Sequence, residues 1–283
     1  MKAWWKRVRP VTDGRLLVSI ATETGPVRNN NEDFVRTGTL TRGRRCLSVL
    51  AVADGVGGGP DGEIASRSAV EALFESLESS DWSDVSHALK AAFGLASRRV
   101  SDASVGGRAA TTMVVAVVAR EGDAVTVANV GDSRAYLVAD GRSRQITEDH
   151  SLVATKVAAG LITADEARTA PDRNLLTRAV GPGTGVEVDL FECHALGRGE
   201  RLVLCSDGVH GLVEDEEIGR LASGPIEGAA GALVGAAMAA GGYDNATAVV
   251  AGFEPMPASD RAGAQGGASR AARILAGKDE PND

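Results

Sequence analysis

Cysteine is nearly missing from this 283-residue chain, and the three present, Cys46, Cys193 and Cys205, form no CxxC pair. An odd number set in apolar segments excludes a disulfide framework and a thiolate metal site, and predicts reduced core thiols in a cytoplasmic protein. No apolar run approaches the roughly 18 residues of a membrane span. "MKAWWKRVRP" is basic but lacks the apolar stretch of a secretory signal, so residues 1–14 read as a tail packed on the domain. An excess of positive charge is missing too: 30 basic against 38 acidic side chains leave a formal charge of -8, which excludes a nucleic-acid groove. The four histidines, His87, His150, His194 and His210, are scattered singly and read as surface or hydrogen-bonded structural residues rather than ligands.

What remains is an aliphatic chain, 43% apolar, with no internal repeat and no linker long enough to force two domains. The organised part runs over residues 15–253; residues 254–283, rich in Ala, Gly, Pro and charge, read as a mostly disordered tail. Valine-rich runs bounded by Gly, Asp or Asn predict strands at 16–21, 46–53, 111–119, 124–130, 134–139, 186–192, 201–206 and 246–253. Val70, Leu73, Phe74 and Leu77 repeat at helical spacing and predict a helix over 61–78. Further helices are expected at 84–103, 150–160, 163–169, 214–222 and 226–240. Asp140-Gly141 signals a tight hairpin, and "GDSR" at 131–134 another turn between strands. Antiparallel hairpins with pairs of helices predict an α+β layered sandwich rather than a parallel, doubly wound fold.

Three of these apolar strands each present one aspartate at a tip. Asp54 follows "VLAVA" and precedes Gly55, Asp207 follows "LVLCS", and Asp244 precedes Asn245 at the mouth of "ATAVVAGF". One Asp-Gly after a strand is ordinarily a turn. Three carboxylates gathered at one edge would repel each other unless a cation lay between them, and a donor set of oxygens alone suits Mg²⁺ or Mn²⁺. Glycine at position 55 would let its carbonyl and water approach such an ion. Upstream, "GPVRNNNED" places Arg28, a fork-shaped phosphate binder, close to Glu32 and Asp33; alone it is equally a solvated charged turn.

These segments, "TETGPVRNNNED", "LAVADGVGGGPDGEIAS", "ATTMVVAVV", "ANVGDSRAYLV", "QITEDHS", "LCSDGVHGLV" and "GGYDNATAVVA", in this order, resemble the metal-dependent protein phosphatases of the PPM family, the type 2C serine/threonine phosphatases, in their bacterial form. The resemblance implies a four-layer αββα sandwich, with two central antiparallel sheets flanked by helices and two Mn²⁺ or Mg²⁺ ions at one end. It implies that Asp54 bridges the ions, that the Gly55 carbonyl, Asp207 and Asp244 are ligands, and that Arg28 grips the phosphoryl group. Glu32, Asp33 and Asn245 would hold metal waters, and residues 151–181 would form the flap beside the site. The implied reaction is attack of a metal-bridging water on phosphoserine or phosphothreonine with no covalent phosphoenzyme; the implied partners are phosphorylated substrates of a bacterial kinase, met by a monomer. A small-molecule phosphatase remains within the same chemistry. Another class, a phosphoprotein-binding regulatory module with little turnover, is disfavoured because Arg28, Asp54, Asp207 and Asp244 are all present. Two positions depart from the resemblance. Val56 stands where many members carry histidine, and "SVGGRAATT" at 104–112 offers Gly106, Gly107 and Arg108 where an acid for a third ion is expected, with only Asp102 nearby. A third ion is therefore not expected.

Overall fold

The computed structural model describes residues 14–57, 60–104, 109–119, 124–181 and 185–255. The body of the basic tail, residues 256–283 and the Gly106–Arg108 stretch lie outside the described residues. Among the described residues no helix is long and apolar enough to cross a membrane.

Two antiparallel sheets carry the fold. One contains β1 (Gly14–Glu23), β11 (Ala246–Pro255), β10 (Arg201–Cys205), β7 (Arg134–Ala139) and β8 (Arg142–Gln145), in that order. The other runs β2 (Asp33–Arg42), β3 (Arg45–Val56), β5 (Met113–Ala119), β6 (Ala124–Val130) and β9 (Asp189–His194), with the two-residue β4 (Ala110–Thr111) pairing onto the end of β3. The predicted strand runs are continuously apolar because both of their faces are covered. In β3, Leu47, Val49, Ala51 and Ala53 face a helical layer, while Leu50 and Val52 join the core between the sheets. β5 repeats the division, with Met113, Val115 and Val117 on one side and Val114, Ala116 and Val118 on the other.

The helices form the outer layers. α1 (Pro60–Ser79) and α2 (Val85–Ala103) cover the second sheet, and α1 does so with the predicted stripe Val70, Leu73, Phe74 and Leu77. Full burial of each such side chain stabilises by about 1.5–3 kcal/mol. Asp84 caps α2 by accepting the amide of His87 at 2.9 Å. On the first sheet, α6 (Asp215–Ala222) and α7 (Ile226–Ala239) enclose Val203, Cys205, Ala248 and Val250. Burial pushes the Cys205 thiol up to about 12, so it stays protonated and inert. Cys46 and Cys193 are reduced as well but only half-buried. The order helix, sheet, sheet, helix is the expected α+β sandwich.

Asp140 and Gly141 take positive φ of 51° and 75° and close the expected β7–β8 hairpin. "GDSR" is a turn of another kind: β6 and β7 belong to different sheets, so Gly131 to Ser133 cross between them. β2 and the short α5 (Asp207–His210) are additions to the expected elements. Within residues 151–181 lie α3 (Leu152–Ala158), capped by Ser151, and α4 (Ala164–Thr169), which starts in a reciprocal Thr163–Glu166 capping box.

Candidate active site

The end of β3, the start of β2, the crossing from β6 to β7, the end of β10 and the start of β11 meet at one mouth of the sandwich. Asp54 and Asp33 are direct cross-strand partners on β3 and β2. Asp207 opens α5 immediately after β10, and Asp244 immediately precedes β11. These four of the expected acids therefore converge. So does Asp132, which sequence reasoning passed over because "GDSR" reads as an ordinary turn.

Each acid is held by its backbone or its neighbours. The Asp54 amide donates to Thr112 Oγ1 at 3.0 Å, and its carbonyl accepts from the Thr112 amide at 2.8 Å. Asp33 Oδ2 accepts from Ser206 Oγ at 2.7 Å, which ties the two sheets together. Asp244 Oδ2 lies 2.6 Å from Arg28 Nη2, on a guanidinium with 44% of its side chain exposed. Asp33 Oδ1 and Asp207 Oδ1 are buried with no hydrogen-bond partner. An anionic oxygen held that way costs free energy until a cation or a proton meets it.

The carboxyl pKa values show the same strain. Burial, then the charges of Asp207 and Asp244, push Asp33 up to about 7 against the hydrogen bonds it accepts. Asp54 and Asp132 are raised well above the carboxylate range by burial and by neighbouring acids, and Asp207 is raised by burial and Asp244. Asp54 and Asp207 shift each other's ionisation at close range. Both still keep part of their surface open to solvent. Like charges crowded in this way are the chemistry a divalent cation relieves.

Gly55 is fixed by close approach. A Cβ there would lie 2.1 Å from the carbonyl oxygen of Gly62, in the first turn of α1, and 2.8 Å from that of Glu32. The strand end, the β2 loop and the helix start thus meet with no room for a side chain. The residues fit oxygen-ligated divalent ions: a set of carboxylates alone, two orphaned buried oxygens and a backbone cradle only glycine can fill. Among the described residues, no three His, Cys, Asp or Glu side chains stand drawn together as a finished ligand set.

Glu32 is buried, and its carbonyl accepts from Ser66 Oγ at 2.6 Å and from the Gly55 amide at 3.2 Å. Asn245 bonds backbone at both ends of its side-chain amide. Its Oδ1 accepts the Glu32 amide at 2.8 Å, and its Nδ2 donates to the carbonyls of Thr24 and Asn30, each at 2.9 Å, so it braces the loop that carries Arg28. Val56 is exposed, as is Asp102 in the last turn of α2. The expectation of no third ion rests on the stretch ahead of β5 alone and does not weigh Asp132, which is buried beside Asp207.

A groove of about 800 Å³ opens from Asp132, Asp207 and Asp244 and runs between Tyr243 and the Val153 and Ala167 faces of α3 and α4. Residues 151–181 thus form one wall of the space above the acids.

Residues 28–226 match the family model described as Protein phosphatase 2C. The serine/threonine protein phosphatase PstP of Mycobacterium tuberculosis is 35% identical over 237 residues, which cover 81% of this chain and 43% of PstP, so the chain spans less than half the length of that relative. The serine/threonine phosphatase structure from S. agalactiae superposes with a TM-score of 0.77 at 28% identity, covering 85% of this chain and all of that one. The catalytic domain of PstP in complex with two manganese ions superposes at 0.70, with 33% identity over 84% of this chain and 98% of that one. With its two-sheet sandwich, its acids at one mouth and the match across most of its length, the chain belongs to the protein phosphatase 2C family.

Proposed function

We propose that this chain hydrolyses phosphoserine and phosphothreonine in proteins, with residues 15–253 as the phosphatase unit and 151–181 as its flap. The observation that carries the reading is the convergence of Asp33, Asp54, Asp132, Asp207 and Asp244 beside Arg28, at the mouth of a groove of about 800 Å³. Asp54, Asp207, Asp244 and the Gly55 carbonyl would hold two Mn²⁺ or Mg²⁺ ions, in keeping with the two manganese ions of the PstP catalytic domain. Asp132 beside Asp207 offers oxygen for a further one. Ions bound there would lower the pKa of a water between them, so that it attacks phosphorus directly with no covalent phosphoenzyme.

The chain's own part is binding and placement. Arg28, on a loop braced by Asn245, presents its guanidinium to the equatorial phosphoryl oxygens, and so stabilises charge in both the ground and the transition state. Asp33 and Glu32 orient water at the same mouth. Asp54, fixed at both its amide and its carbonyl by Thr112, cannot drift as charge develops. Turnover of a phosphothreonine peptide should vanish with chelator, return with Mn²⁺, and be abolished by Asp54→Asn in a protein that still folds. Undiminished hydrolysis in the chelated protein would remove the metal reading. A folded, Mn²⁺-binding protein with negligible turnover would instead favour a phosphoprotein sensor.

A further inference from the structure

Two buried histidines grip the crossing that carries Asp132. The Gly131 amide donates to His150 Nδ1 at 3.0 Å, and the His150 amide donates back to the Gly131 carbonyl at 3.0 Å. From the other side, His210 Nε2 donates to the Asp132 carbonyl at 2.9 Å. Ser133 Oγ lies 2.7 Å from Thr112 Oγ1, the atom that accepts the Asp54 amide, so the crossing and the Asp54 strand share one hydroxyl. Gly131 has φ of +106°, and a Cβ on it would lie 2.5 Å from Thr112 Cβ. The backbone has one path here, and side-chain hydrogen bonds set it.

His150 also faces outward from this grip. Its Nε2 lies 3.1 Å from Asp189 Oδ2 on β9, and Arg178 holds both oxygens of Asp189, at 2.7 and 3.1 Å. Arg178 stands near the end of the 151–181 segment, and the neighbouring Thr177 amide donates to the His150 carbonyl at 2.9 Å. A backbone N–H can only donate, so Nδ1 must accept; the proton therefore sits on Nε2 and points at Asp189. The imidazole is neutral, and its two nitrogens have opposite roles.

We propose that His150 is a positioning residue, whose neutral ring ties the base of the 151–181 segment, through Asp189 and Arg178, to the Gly131–Asp132 crossing and so sets where the Asp132 carboxyl stands at the metal centre. The inference rests on the reading of these acids as that centre. A displacement of the segment's base reaches Asp132 through three consecutive side-chain links, the last of them onto Gly131, which packs against Thr112 with no room for a side chain. In this role His150 acts through Asp132 rather than on the substrate itself.

Replacing the two ring nitrogens separately in the full chain tests this. Asn at 150 offers an acceptor near the Nδ1 position, Gln a donor near the Nε2 position, and Ala neither. With p-nitrophenyl phosphate, which is too small to need the groove, His150→Ala should lower kcat by about 10- to 100-fold, the worth of one buried hydrogen bond, with KM changed less than about threefold. Calorimetric titration with Mn²⁺ should show its weakest ion bound about tenfold more loosely. His150→Asn, which restores the Gly131 bond but not the link to Asp189, should recover only part of the lost kcat and ion affinity, and His150→Gln should recover neither. Wild type should also show, in its imidazole ¹⁵N spectrum, one ring protonated only on Nε2 that disappears in His150→Ala. Equal loss in the Ala and Asn variants, or wild-type kcat and ion affinity in folded His150→Ala, would overturn the proposal. Should His150→Ala fail to fold, Asp189→Ala cuts the same chain one link outward; it should lower kcat and loosen the same ion, and wild-type values would be equally damaging. A wild-type chain without Mn²⁺-dependent turnover would sink the phosphatase reading, while the ion titrations of the variants would still decide the role of His150.

Discussion

Arg28 shows how little a residue's surroundings need to hold it for its chemistry to matter. Its ion pair with Asp244 lies where nearly half the guanidinium meets solvent, and such pairs stabilise a fold by less than about 1 kcal/mol. In the proposed role its contribution to phosphate binding would be larger, because a charge-assisted fork onto phosphoryl oxygens is worth on the order of 2 kcal/mol. Arg28→Ala should therefore raise KM for a phosphothreonine peptide, lower kcat, and leave the urea midpoint almost unmoved. Steady-state kinetics beside a urea melt separate the two effects, and unchanged kinetics would take Arg28 out of the site. At this scale the sequence was informative wherever an acid stood at the tip of an apolar strand: Asp54, Asp207 and Asp244 stood out for that reason. Asp132 did not, because the strand before it leads into a turn whose residues are all good turn formers, and only the packing of two sheets shows that the turn faces the other acids. Asn245 was legible as a neighbour of the site, but its three backbone contacts with a loop more than two hundred residues away were not.

Elements were legible in proportion to their hydrophobic period. α1 declared itself through Val70, Leu73, Phe74 and Leu77, and the strands of the two central layers through unbroken valine runs. β2 did not, since "DFVRTGTLTR" alternates Thr, Arg and Gly on an edge strand whose residues are mostly half-buried. α5 is only four residues long, too short to express a period. α1 is bound to β2 at a specific point: the Phe74 ring lies 3.0 Å from where a Cβ on Gly38 would be, and the Arg36 guanidinium stacks 4.1 Å above it. Phe74→Ala should cost about 3–5 kcal/mol, visible as a lowered urea midpoint. Turnover per folded molecule should persist, because Ser66, which braces Glu32, lies eight residues nearer the site, about 12 Å along the helix. A loss of kcat matching the loss of stability would mean that α1 shifts as a rigid rod.

Across the whole molecule the acids set a conflict between fold and function that a cation resolves. Asp33, at about 3.8 in the unfolded chain and pushed up to about 7 in the fold, binds more protons folded than unfolded. Its contribution is complete below the unfolded value and is lost as pH rises through 7, at about 1.4 kcal/mol for each pH unit between the two values. Asp54, Asp132 and Asp207 are raised as well and act in the same direction. His210, buried and lowered from 6.5 to about 3 by burial and the Arg134 charge, works the other way: its contribution is present above 6.5 and fades as pH falls toward 3. Between pH 4 and 6.5 the two slopes oppose each other; above 6.5 only the carboxyls titrate. The chelated protein should therefore lose stability from pH 6.5 to 8. On the proposed reading Mg²⁺ would bind the ionised carboxylates of both sheets, so the rise in Tm it produces should be larger at pH 8 than at pH 5.5. Hydrogen exchange should localise that gain to the ends of β3 and β10 and the start of β11, leaving the far ends of those strands as they were. Melting curves with chelator and with Mg²⁺ at the two pH values decide the matter: a Tm gain that is equal, or greater at pH 5.5, would mean that the crowded acids at the mouth of the sandwich are not what the cation stabilises.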